Sequence, residues 1–243
     1  MVTRIKKVVT IFFLSLGSLS FCLPRVHLFG DSHAMHCFTD HYRNEYTFLY
    51  QGLSLPLAVH YLGPKTMHGV ATNGIVESGV KLGRNSLPQY GVAEGEIAVF
   101  VFGEIDVRCH IGNQCDKRGV DVDVIIEELV IKYTDMILRN RALYQQCTCI
   151  VMEVMPPTDQ AFNAQYPRCG SLEERVAITR QLNACLKSVC AQRAIPFFEV
   201  HNLLANSNGV LIAELSDGNV HVNMAHNYLV KQKLVAFLQT LFE

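Results

Sequence analysis

Neither sign of charge predominates in this chain: 21 Lys and Arg stand against 22 Asp and Glu over 243 residues, a formal net charge of -1. There is no basic stripe and no interleaving of arginine with aromatics, so the electrostatic footprint of a nucleic-acid-binding surface is missing and nucleic acid is not an expected partner. Internal repeats, low-complexity tracts and Pro/Ser-rich linkers are absent as well. A chain of this length without such a break is expected to bury one substantial α/β core. Zinc-type cysteine spacing is also missing, since none of the nine cysteines forms a CxxC pair. If Cys22 is removed with a leader, eight remain, an even number that permits disulfides outside the cytosol. Against that, Cys185 and Cys190 lie in a helical pattern, and Cys147 and Cys149 open an apolar strand, where small buried thiols are common.

A membrane-length apolar run is lacking too. Arg4, Lys6 and Lys7 precede an uncharged stretch from Val8 to Phe21 of about 14 residues, too short for a comfortable span and suited to the apolar part of a secretory signal. Residues 1–22 are therefore read as a signal peptide or N-terminal anchor, with an amphipathic N-terminal strand as the competing reading, and 23–243 as the folded domain. The expected location is secreted or periplasmic, with membrane association only through the N-terminal segment.

What the sequence does contain is organised around Arg25 to His33. Val26, Leu28 and Phe29 form a short apolar run that stops at Gly30, a buried strand delivering Asp31, Ser32 and His33 to its carboxyl end. Leu55 to Leu62 reads as a second strand, closed by Gly63 and Pro64. A short helix is expected around Ile75 to Leu82. Ile97 to Phe102 is a continuous β-branched and aromatic run of the kind buried on both faces of a parallel sheet, followed by Gly103-Glu104-Ile105-Asp106. Helices are expected from about Val122 to Tyr144, Leu172 to Gln192 and Ala225 to Leu241, with strands at Thr148 to Met155 and Ile195 to Val200. Strands alternating with helices long enough to cross over give a three-layer α/β/α sandwich on a parallel sheet of about five strands.

The strand ends carry the chemistry. Asp31, Ser32 and His33 lie at the first, Glu104, Asp106, Arg108 and His110 at the third, and Asp217 and His221 in the loop before the last helix; a parallel sheet gathers such ends on one edge. A serine needs a neighbouring imidazole to take its proton, and that imidazole needs a partner to fix its tautomer. Ser32, His221 and Asp217 supply the three types. Asp106 reads as a loop anchor, Glu104 with Arg108 either as an ion pair beneath the site or as substrate-binding groups, and His36 and His68 as packing residues.

Gly30-Asp31-Ser32, Gly63 after the second strand, Gly103-Glu104-Ile105-Asp106, and the late Asp217 with His221, in this order over Arg25 to Glu243, resemble the SGNH/GDSL hydrolase family of flavodoxin-like esterases and acyl hydrolases. The resemblance implies Ser32 as nucleophile, His221 as general base, Asp217 as its orienting partner, and the backbone N–H groups of Ser32 and Gly63 as oxyanion donors. It implies an ester of a small molecule or glycan as substrate and neither a cofactor nor a metal. Two positions depart from the pattern. Ile105 stands where the Gly-x-Asn-Asp block has its oxyanion asparagine, leaving Asn73, Arg108 or an amide near Glu104 as substitutes, with His33 shaping the pocket. Three residues rather than two separate Asp217 from His221, which a bulge at Gly218-Asn219 would absorb.

Two competing readings use the same residues. Asp31-x-His33 also opens metal-dependent phosphoesterase sites, with Glu104, Asp106, His110 and His221 as further ligands. Alternatively, the fold holds a glycan or acyl ligand without turning it over. The oligomeric state is not written in the sequence.

Overall fold

The computed structural model describes residues 21–40, 43–79, 83–143, 147–159 and 167–243. The leader assigned to residues 1–22 lies outside them apart from its last two positions. Seven strand segments make one sheet: β1 (Phe21–Cys22), β2 (Val26–Gly30), β3 (Glu45–Tyr50), β4 (Leu53–Tyr61), β5 (Ile97–Val101), β6 (Thr148–Met152) and β7 (Phe197–Phe198). From β4 the order runs through β2, β5 and β6 to β7, all parallel. Leu57 and Ala58 pair with both β2 and β3, so those two strands lie on opposite edges of β4; Leu53 pairs with both β1 and β3, which sets β1 in line with β2.

The five expected strands are thus present, and the antiparallel edge strand β3 is an addition. It forms a hairpin with β4 through Gln51-Gly52, whose φ angles of 50° and 79° give the left-handed backbone that a two-residue hairpin turn requires. The helices are α1 (Ser32–Phe38), α2 (Met67–Asn73), α3 (Ile111–Arg118), α4 (Val122–Leu143), α5 (Leu172–Gln192), α6 (His201–Leu204) and α7 (Tyr228–Phe242). The helix expected over 75–82 falls instead on Met67–Asn73, because Thr66 caps it by accepting from the Gly69 amide at 2.8 Å; residues 80–82 of that expectation lie outside the described ones.

Alternation along the strands splits the core in two. Val26, Leu28, Ile97, Val99 and Ile150 face α1 and α7, while Phe29, Ala98, Phe100, Cys149 and Val151 face the layer containing α2, α4 and α5. Both faces are covered, as a parallel sheet demands. No helix among the described residues is long and apolar enough to cross a membrane. The described cysteines from Cys37 to Cys190 are all free.

Gly30 is where the sheet hands over to the site, and contact rather than backbone freedom requires it. A Cβ there would lie 2.5 Å from the Val101 carbonyl oxygen and 2.6 Å from Ala34 Cβ, with no flexible side-chain end to move aside. Gly30→Ala should therefore destabilise the fold by about 3 kcal/mol, the upper range of overpacking, read as a lower urea midpoint; an unchanged midpoint contradicts this packing.

Candidate active site

Asp31 ends β2 and starts α1. Its Oδ1 accepts from the His33 amide at 2.8 Å, which satisfies one of the unpaired donors at the helix start. Ser32 is the first helical residue, half-buried, and its amide has no acceptor within the helix.

His221 reaches Ser32 from the far end of the chain. Ser216 and Val222 close a small antiparallel loop, in which the Asp217 amide donates to the His221 carbonyl at 3.0 Å. Asp217 Oδ1 accepts from the amides of Asn219 at 2.8 Å and His221 at 3.3 Å. Gly218, at φ +82°, turns the chain between them, so the extra residue is taken up locally and Asp217 is not displaced. Its Oδ2 lies 3.1 Å from His221 Nδ1, and His221 Nε2 lies 2.8 Å from Ser32 Oγ. A carboxylate at Nδ1 fixes the proton there, leaving the Nε2 lone pair to accept from the serine hydroxyl. Burial first, then the nearby His33 and His36, pull His221 down to about 4. At neutral pH the ring is neutral and able to take a proton.

His33 does not open onto a pocket. It is 2% exposed, with Nδ1 donating to Asp31 Oδ1 at 3.0 Å and Nε2 donating to the Val220 carbonyl at 3.2 Å; Glu104 Oε2 stands 4.0 Å from Nε2. Burial alone would lower its pKa, but the charge and hydrogen bond of Asp31, then Glu104 and the Val220 carbonyl, raise it to about 9. His33 is therefore a buried cation gripping the residue immediately before His221.

Glu104 and Arg108 form a buried bidentate pair, Nε to Oε1 at 2.8 Å and Nη2 to Oε2 at 3.1 Å. Of the two readings open for them, an ion pair or substrate-binding groups, the ion pair is the one formed here, since Glu104 leads into a π-helical turn (Asp106–His110) that brings Arg108 back over it. Asp106 is the loop anchor: fully buried, it accepts from the Met67 and His68 amides at the start of α2, and burial raises its carboxyl to about 7. Asn73, the other expected substitute donor, is exposed at the opposite end of α2, about 9 Å along the helix from the end that Asp106 holds.

Gly63 lies close by. The Leu62 amide donates to the Gly30 carbonyl at 2.9 Å, which continues the β2–β4 pairing beyond the strands and sets Gly63 beside the start of α1. A Cβ at Gly63 would meet Ser78 Cβ at 2.7 Å, on backbone already at φ +80°. Ile105 is 3% exposed and packed in the core.

One residue read only as packing belongs to this group. The His36 ring stacks on His221 at 4.0 Å between centroids and 14° between planes, and its Nδ1 donates to the Val222 carbonyl at 3.2 Å. Its position one helical turn after Ser32 was the available signal. The carbonyls of Val220 and Val222 carry no side-chain signature.

No family model matches the chain, and no curated protein matches it. Solved structures do. A GDSL-like lipase from Bacteroides thetaiotaomicron superposes with a TM-score of 0.55 at 14% identity, covering 89% of this chain and 88% of the other. A carbohydrate acetylesterase from Sinorhizobium meliloti superposes with a TM-score of 0.53 at 12% identity over 90% of this chain and 99% of the other. The protein has the SGNH/GDSL hydrolase fold. On that SGNH/GDSL frame Ser32, Gly63, Asp106 and His221 all lie around the carboxyl edge of the sheet. The phosphoesterase reading loses a ligand here, because both ring nitrogens of His33 act as donors to other groups and none is left for a metal.

Proposed function

We propose that the protein is a serine-dependent ester hydrolase or acyl transferase. The observation carrying this reading is the continuous chain from Ser32 Oγ through the His221 ring to Asp217, at 2.8 and 3.1 Å. Ser32 Oγ attacks the ester carbonyl while its proton passes to His221 Nε2. The tetrahedral intermediate then collapses, and the alcohol leaves with that proton. Water, or a second hydroxyl, gives its proton to His221 and attacks the acyl-serine; this second intermediate collapses, the acyl group leaves on the new oxygen, and His221 returns the proton to Ser32 Oγ. Asp217 keeps the ring in the Nδ1–H tautomer and stabilises the imidazolium that forms.

Backbone N–H groups of Ser32 and Gly63 serve as oxyanion donors. Ile105 supplies none, and one missing donor typically costs about 100- to 1000-fold in turnover, so a slow esterase is expected. The substrate class is an ester of a small molecule or glycan. An acetylated sugar is favoured by the fold's similarity to a carbohydrate acetylesterase. The test is labelling with a fluorophosphonate: one equivalent should attach at Ser32, and folded protein that takes up no label sinks the proposal.

A further inference from the structure

We propose that His36, Asp217 and His221 form a site for a divalent transition-metal ion of the zinc type, and that occupancy shuts the active site off. The binding stands on geometry alone; the inhibition rests on the hydrolase reading above.

Among the described residues, these three are the group whose donor atoms converge: one ligand atom from each lies within 4.8 Å of the others. Asp217 Oδ2 is 3.1 Å from His221 Nδ1 and 3.8 Å from His36 Nδ1. Tetrahedral zinc with bonds of about 2.0–2.2 Å separates its donors by roughly 3.3–3.5 Å. The carboxylate is thus already close to ligand spacing from each ring, and closure needs the two rings to tilt out of their stack. Two imidazoles and one carboxylate favour zinc, copper or nickel over magnesium or calcium, which prefer all-oxygen sets.

The site is reachable from solvent, with side-chain exposures of 24% for His36, 21% for Asp217 and 14% for His221. Capture exchanges the His36 bond to Val222 for a metal bond. His33 stays out because Asp31 and Val220 hold both its nitrogens.

The inhibitory consequence follows from proton placement. A metal on His221 Nδ1 moves the ring proton to Nε2, leaving the net proton count unchanged. An Nε2–H ring cannot accept the Ser32 proton, and Asp217 is occupied as well. His36 is the component this adds to the reaction group, since the hydrolytic scheme does not use it.

The experiment is a competition of purified full-length protein against a chromogenic zinc chelator, for wild type and His36→Gln. It is paired with initial rates on nitrophenyl acetate and with fluorophosphonate labelling at rising zinc. Wild type should hold one zinc that His36→Gln binds at least tenfold more weakly, and zinc held by thiols cancels in that difference. Zinc should slow wild-type turnover and labelling, with chelator restoring both, while the variant, referred to its own metal-free rate, should need at least tenfold more. Copper bound to wild type should show two imidazole nitrogens in its EPR spectrum, a readout that does not depend on how the variant folds. Equal zinc affinity in the two proteins, or fewer than two imidazole nitrogens, overturns the site. A His36-dependent zinc in a protein that neither labels nor turns over supports the site and removes the hydrolase reading. Labelling that proceeds unchanged at saturating zinc overturns the metal proposal and leaves the hydrolase reading intact.

Discussion

Replacing His221 by alanine should lower kcat on an activated ester by about four to six orders of magnitude, with little change in KM. Ser32→Ala should cost as much, and the double variant no more than either single one, because nucleophile and base act as one unit. The expectation rests on the 2.8 Å contact between Nε2 and Oγ. Asp217→Asn should lose about 10⁴-fold with the fold intact, since an amide at 3.1 Å from Nδ1 can present its NH₂ there and favour the wrong tautomer. Steady-state rates on nitrophenyl acetate measure all three. A His221→Ala protein within tenfold of wild type would move proton transfer to another group.

Removal of the His33 charge should produce the largest effect away from the reacting atoms. His33→Ala leaves the buried Asp31 and Glu104 without their imidazolium, and breaking a buried charge network of this kind costs about 3–5 kcal/mol. His33→Gln retains donor capacity without the charge and separates support from electrostatics. His221 must be neutral to act, so wild-type kcat/KM should fall as pH drops through about 4. The His33 cation helps hold that limb low, so in His33→Gln it should move to higher pH while Asp217→Glu and wild type keep theirs low. Stability should follow His33 at the other end of the scale. Its folded pKa is raised from 6.5 to about 9, so its contribution is complete below about pH 6.5 and lost as pH rises through about 9. Thermal melts across pH 6 to 10 should show a decline in wild type that is absent in His33→Gln. A flat wild-type profile contradicts a charged His33.

Much of this arrangement was legible in the residues because it lies at strand ends. Val26 to Gly30 and Ile97 to Val101 are apolar runs ended by glycine, and such runs locate the carboxyl edge where Ser32 and the Glu104 turn emerge. The edge strand β3 was not legible: its burial alternates between exposed and half-buried, and its pairing depends on a Gln51-Gly52 turn of weak composition. His33 was visible as chemistry but not as architecture, and for Glu104 with Arg108 the ion-pair and substrate-binding readings were both open. Whether a charged group meets a ligand or another buried charge depends on the π-helical turn and on the Val220 carbonyl, neither of which has a side-chain pattern. Asn73 was the right residue type on the wrong end of a helix whose start is fixed by Thr66.

The hydrogen bond between Ser32 and His221 spans 189 positions, and the His33 clamp on Val220 spans 187. A growing polypeptide that has already formed its central strands still lacks the proton acceptor, which arrives with the last tenth of the chain. Premature termination or clipping before His221 would therefore, on the hydrolase reading, yield inert protein however much of the sheet survives, and turnover in a cell extract would count only molecules carried past that residue.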